Sequence, residues 1–91
     1  MSLMKGKKGL IMGVANERSI AWGISQKLSE AGAELGFTYL VDALKKRVIP
    51  LAEKLNSNVT FSCDVEKKEE VIKLFEDIKS KWGEIDFVVH A

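Results

Sequence analysis

The chain of 91 residues predicts an α/β fold, a doubly wound parallel sheet with helices on both faces. Short apolar runs alternate three times with longer segments of helical periodicity. The runs are apolar almost without interruption, as strands covered on both faces are. Right-handed crossovers then give the spatial order 3-2-1-4 for the four strands expected.

The first strand is Gly9 to Val14. Ile20, Ile24, Leu28 and Ala31 follow at helical spacing with Ser25, Gln26, Lys27 and Glu30 between them, and Gly32 supplies the stop. Leu35 to Tyr39 is the second strand. Asp42 is placed to cap a helix carrying Leu44, Val48, Leu51, Ala52 and Leu55, which Asn56-Ser57-Asn58 ends as a turn. Pro50 inside that helix is expected to kink or divide it. Val59 to Cys63 is the third strand. Val71, Ile72, Leu74, Phe75, Ile78 and Trp82 form the inner stripe of a third helix, whose outer face carries Lys67, Lys68, Glu69, Glu70, Lys73, Asp77 and Lys79. Gly83 closes it, and Ile85 to His90 is the fourth strand. The chain then stops where such sheets are half built, so a fragment, or the ordered part, of a longer protein is expected.

Composition narrows the function classes. At 46% hydrophobic and 30% charged residues, the balance is that of a globular protein. A net charge of +1, with basic and acidic residues interleaved, offers no concentrated basic face for nucleic acid. The apolar run Gly9 to Ala15 is too short to cross a bilayer, so no membrane association is expected. Cys63 is the only cysteine and cannot form an internal disulfide, which points to a cytoplasmic setting. Met1 to Met4 is set aside as a disordered or cloning-derived start.

The turn from first strand to first helix carries the chemistry. It reads Gly13-Val14-Ala15-Asn16-Glu17-Arg18-Ser19-Ile20-Ala21-Trp22-Gly23. In a Rossmann-type unit this turn aims free helix N–H groups, at the positive end of the helix dipole, at a pyrophosphate. The usual three-glycine spacing is absent. Small residues still fall where backbone must approach a ligand: Gly13 at the turn, Ser19 at the helix start, Ala21 against the sheet, Gly23 one turn on. Ser19 suits two roles, a helix cap and a hydroxyl donor to a phosphate oxygen.

The pattern Gly-Val-Ala-x-x-x-Ser-Ile-Ala-x-Gly resembles the altered glycine motif of the bacterial NADH-dependent enoyl-acyl carrier protein reductases, a divergent branch of the short-chain dehydrogenases. Gly32-Ala33-Glu34-Leu35 leading to Phe37-Thr38-Tyr39, then Cys63-Asp64-Val65, then Phe87-Val88-Val89-His90 match in register. The resemblance runs from Lys5 onward and implies that residues 5–91 are the N-terminal part of a single dinucleotide-binding domain. It implies that Gly13, Ala15, Ser19 and Ile20 surround the pyrophosphate and adjoining ribose, and that Leu40 lies beside the adenosine. Asp64 and Val65 would hold the adenine, the carboxylate accepting from the exocyclic amine and the valine covering the ring. Asp64 also suits a plainer role as N-cap of the helix beginning near Lys67.

An acid after the second strand commonly receives the ribose hydroxyls of NAD, and a basic residue there the extra phosphate of NADP. Tyr39-Leu40-Val41 offers neither. Lys45, Lys46 and Arg47 come later and read as a solvated helix face, so NADH is the expected cofactor. The family's catalytic tyrosine and the lysine that follows it after six intervening residues are not identified in this chain. Tyr39 and Lys46 have that spacing, but they sit on the adenosine side, away from the nicotinamide. His90 and Cys63 read as packed residues, and Trp22 and Trp82 as core.

The resemblance implies an oxidoreductase of fatty acid synthesis, acting on a trans-2-enoyl thioester of acyl carrier protein and assembling as a homotetramer. Two alternatives stay open on the residues alone: a dinucleotide sensor without turnover, and another short-chain dehydrogenase acting on carbonyls.

Overall fold

Alternation along the first strand divides the interior into two cores. The computed structural model describes residues 3–16, 18–40 and 42–90, with Asp42 given by its backbone alone. Strand β1 is Lys8–Met12. Ile11 faces one core with Val14, Trp22, Phe37 and Val48, while Leu10 and Met12 face another with Cys63, Leu74 and Ile78. Such two-sided burial is what a central parallel strand requires.

The other elements are α1 (Ile20–Glu30), β2 (Glu34–Tyr39), α2 (Asp42–Lys54), β3 (Thr60–Ser62), α3 (Lys68–Trp82) and β4 (Phe87–His90). The four strands lie in the order β3-β2-β1-β4, all parallel, as the alternation predicts. Residues of α1 and α2 pack in the first core and those of α3 in the second, so both faces of the sheet are covered.

Element ends differ from expectation for local reasons. β1 stops at Met12, two residues early, because Gly13 turns the chain at φ 101°, yet Val14 remains buried beyond the strand. Helix α1 ends in a Schellman motif: Ala33 N–H donates to Leu28 C=O at 3.1 Å, Gly32 N–H donates to Ser29 C=O at 3.0 Å, and Gly32 takes φ 100°. Helix α2 runs undivided through Pro50. Pro50 is exposed, on a side of the helix where a missing intrahelical bond can be met by water. The capping role expected of Asp42 falls on a side chain outside the described residues.

The apolar stripes are rotated from those read in the sequence. On α1 the buried residues are Ala21, Trp22 and Ser25, and Ile20 is 77% exposed. On α3 Leu74 and Ile78 are buried with Val71 and Trp82 packed beside them, whereas Ile72 and Phe75 are exposed. Both helices carry an apolar arc wider than the sheet covers, and the angle at which each helix enters selects the part that is buried.

Ser57, read in sequence only as part of a turn, is buried and ties β2 to the residue that precedes β3. Its hydroxyl donates to Leu35 C=O and accepts from Val59 N–H at 3.2 Å. Removing it leaves an N–H and a carbonyl short of a partner where water has little access. Ser57→Ala is expected to destabilise by about 1–3 kcal/mol, read as a lower urea midpoint at unchanged slope. An unmoved midpoint would show that the hydroxyl contributes nothing.

Candidate functional site

Ligands of open α/β sheets sit beyond the carboxyl ends of the strands, where the loops diverge. Here β1, β2, β3 and β4 end around a cavity of about 260 Å³. Its walls include Gly13, Ala15, Leu40 and Val65, four of the residues expected at a dinucleotide, together with Leu44, Cys63 and His90. Leu40 and Val65 are 54% and 44% exposed, apolar surface left open toward the cavity mouth. Ser19, Ile20 and Asp64 are not among the walls.

The loop after β1 is a framework of short-range hydrogen bonds. Asn16 Oδ1 accepts from Arg18 N–H at 2.8 Å, and Asn16 C=O accepts the Ser19 hydroxyl at 2.8 Å. Ser19 caps α1, its Oγ accepting from Trp22 N–H at 3.2 Å. The cap expected of Ser19 is therefore formed, and the hydroxyl would have to turn from Asn16 C=O to meet a phosphate. Helix geometry leaves the first N–H groups of α1 without intrahelical partners, which is what attracts an anion to such an end. Gly13, with no Cβ and a positive φ, lets backbone line the cavity. An apolar cavity beside a glycine corner and a helix N-terminus is the kind of place where an open α/β sheet can take a nucleotide.

The segment after β3 is tied down differently from expectation. Asp64 Oδ1 accepts from Glu66 N–H at 3.0 Å, an Asx turn, whereas the N-cap of α3 is Lys67, which makes no side-chain cap bond. Asp64 is thus not the cap suggested as its plainer role. Glu70, read only as part of the outer face of α3, accepts from Asp64 N–H at 3.1 Å through Oε1. A carboxylate in the first turn of a helix, able to reach back to preceding amides, is the signal that could have found it.

His90, expected to be packed, is exposed and lines the cavity. Lys45, Lys46 and Arg47 are exposed, as a solvated face would be, and none lines it. Val41 lies outside the described residues. Among the described residues no group of three or more potential metal ligands comes together.

Cys63 is 3% exposed at the base of the cavity, and burial first, then the nearby Glu70 and Asp64 carboxylates, push its thiol pKa above the usual range. The reactive thiolate is correspondingly scarce at neutral pH. Alkylation of the folded protein at pH 8 is expected to be at least about tenfold slower than of the unfolded protein, rising only in more alkaline buffer. Equal rates in the two states would contradict the burial.

Parallel order 3-2-1-4, a glycine corner and a cavity at the carboxyl ends of the strands define a Rossmann-type α/β domain. A family model described as enoyl-(acyl carrier protein) reductase matches residues 13–91, and the chain belongs to that family. Enoyl-[acyl-carrier-protein] reductase [NADH] 1 of Rhizobium meliloti is 56% identical over 89 residues, covering 98% of this chain and 33% of the relative. The crystal structure of FabI from Candidatus Liberibacter asiaticus superposes with TM-score 0.96 at 49% identity, over 99% of this chain and 35% of that one. The Anaplasma phagocytophilum reductase, crystallised in complex with NAD, superposes with TM-score 0.90 at 50% identity, over 94% of this chain and 33% of that one. The chain thus spans about a third of the length of the relatives it matches.

Proposed function

We propose that this chain is the NADH-binding, N-terminal part of a cytoplasmic enoyl-acyl carrier protein reductase of fatty acid synthesis, residues 5–91 belonging to one larger dinucleotide-binding domain. The observation that carries the reading is the glycine-cornered loop that opens into the N-terminus of α1 beside an apolar cavity. Exposed Ile72, Phe75 and Val88 are consistent with a larger domain that covers them.

In this reading Gly13 and Ala15 bring backbone to the pyrophosphate, and Ser19 with the first amides of α1 holds it. Ile20 flanks the adjoining ribose. Leu40 lies against the adenosine, Val65 covers the adenine, and Asp64 accepts from its exocyclic amine. When bound, the dinucleotide supplies the hydride that reduces a double bond conjugated to a thioester carbonyl. This chain contributes binding and orientation. The catalytic tyrosine and lysine would come from the rest of the enzyme, and the substrate would arrive on acyl carrier protein at a homotetramer.

The test is the decay of NADH absorbance when full-length protein meets a crotonyl thioester. Consumption that depends on the thioester is expected. A protein that binds NADH without turning it over would instead be a sensor, and ketone-dependent consumption would mark a carbonyl reductase.

A further inference from the structure

We propose that Glu70 is a positioning residue for base recognition, holding the turn that presents Asp64 and Val65 to the adenine. The proposal rests on the reading above, in which those two residues grip the base. It begins where the β3 ladder ends. Cys63 N–H donates to Tyr39 C=O at 2.9 Å, the last such bond among the described residues, and the next amide, that of Asp64, turns to a side chain instead. Glu70 Oε1 takes that amide at 3.1 Å, while Glu70 Oε2 lies 3.5 Å from Lys67 Nζ.

The arrangement is a capping box moved upstream. A carboxylate at the third helical position ordinarily reaches back to the N-cap amide. Here the N-cap is Lys67, and its amide already donates to Asp64 C=O at 3.0 Å, so the Glu70 carboxylate extends to Asp64 itself. Asp64 is thereby held at its N–H by Glu70 and at its C=O by Lys67, with Oδ1 engaged by Glu66 N–H. Among the described residues Oδ2 has no hydrogen-bond partner, and it is the oxygen left for a ligand. A charge-assisted bond across six residues therefore orients the carboxylate that the proposed function assigns to the base. Glu70 itself need not touch the nucleotide.

The discriminating probe is the reduced nicotinamide hypoxanthine dinucleotide, in which a carbonyl oxygen replaces the exocyclic amine of adenine. Calorimetry on the full-length protein is expected to show the wild type preferring NADH over this analogue. Glu70→Ala should shrink that preference about tenfold, the scale of a hydrogen bond to a charged group. Glu70→Gln keeps an oxygen acceptor and should retain most of the preference. A general loosening of the fold would weaken both dinucleotides alike and leave their ratio unchanged, and that result in Glu70→Ala would overturn the proposal. So would a ratio lost as fully in Glu70→Gln as in Glu70→Ala. Should the wild type itself bind both dinucleotides equally, Asp64 does not read the base and the premise fails along with the role of Glu70. Absence of any NADH binding would instead remove the functional reading as a whole.

Discussion

Gly13→Val is expected to weaken NADH binding by at least about a hundredfold while the sheet still forms. A hundredfold loss corresponds to about 2.8 kcal/mol. Two effects combine to reach it. Gly13 sits at φ 101°, outside the region that side-chain-bearing residues adopt, and a β-branched residue there is disfavoured most. Holding one strained residue costs on the order of 1–3 kcal/mol. If the loop relaxes instead, the backbone leaves the cavity wall that Gly13 helps to form and the amides of α1 lose their alignment with the phosphates. Calorimetric titration of the full-length variant with NADH, alongside circular dichroism, measures both halves of the expectation. An affinity within threefold of wild type in a folded variant would remove Gly13 from the site and weaken the whole assignment of the loop.

Gly9→Val should be the most destabilising single change at the β1–β4 seam. Gly9 pairs with Phe87 in the parallel register, and a Cβ built on Gly9 would lie 2.0 Å from Phe87 Cε2 and 2.1 Å from Cζ. The ring occupies the place a side chain would take. Phe87 is packed against the core formed with α1 and α2, so it cannot swing away without giving up apolar contact. The overpacking is expected to cost about 2–3 kcal/mol, the upper part of the range for forced insertions. A second variant isolates the cause. Adding Phe87→Ala to Gly9→Val should recover at least about 1 kcal/mol relative to the sum of the single effects, since removing the ring makes room for the valine. Strict additivity of the two substitutions in thermal or denaturant unfolding would show that the ring is not the obstacle.

These two glycines show how unevenly the chain can be read. Gly13 was legible because a glycine between an apolar run and an amphipathic segment is a local signal, and the residues after it repeat a known pattern in register. Gly9 was not, because the need for it arises from Phe87, 78 positions further on. The adenosine side divides the same way. Leu40 and Val65, singled out by the resemblance, do meet at one cavity, but Glu70 became visible only when its carboxylate was found on the Asp64 amide. Asp64 itself carried two readings at equal spacing, and the Asx turn with Glu66 removed the helix cap from them.

Apolar periodicity and the order of strand and helix along the chain were enough to establish a parallel sheet in the order β3-β2-β1-β4, because crossover handedness and burial on both faces leave few other arrangements. They could not say which edge of each helix meets that sheet. Ile20 and Ile24 continue the α1 pattern as well as Ala21 and Trp22 do, yet they face outward. Phase is settled by packing: the Gly13 corner and the Ser19 cap set the angle at which α1 arrives, and Trp22 goes where the sheet has room for it. Periodicity is a property of neighbours in sequence, whereas the buried face is chosen by partners far along the chain, and only the folded molecule brings those together.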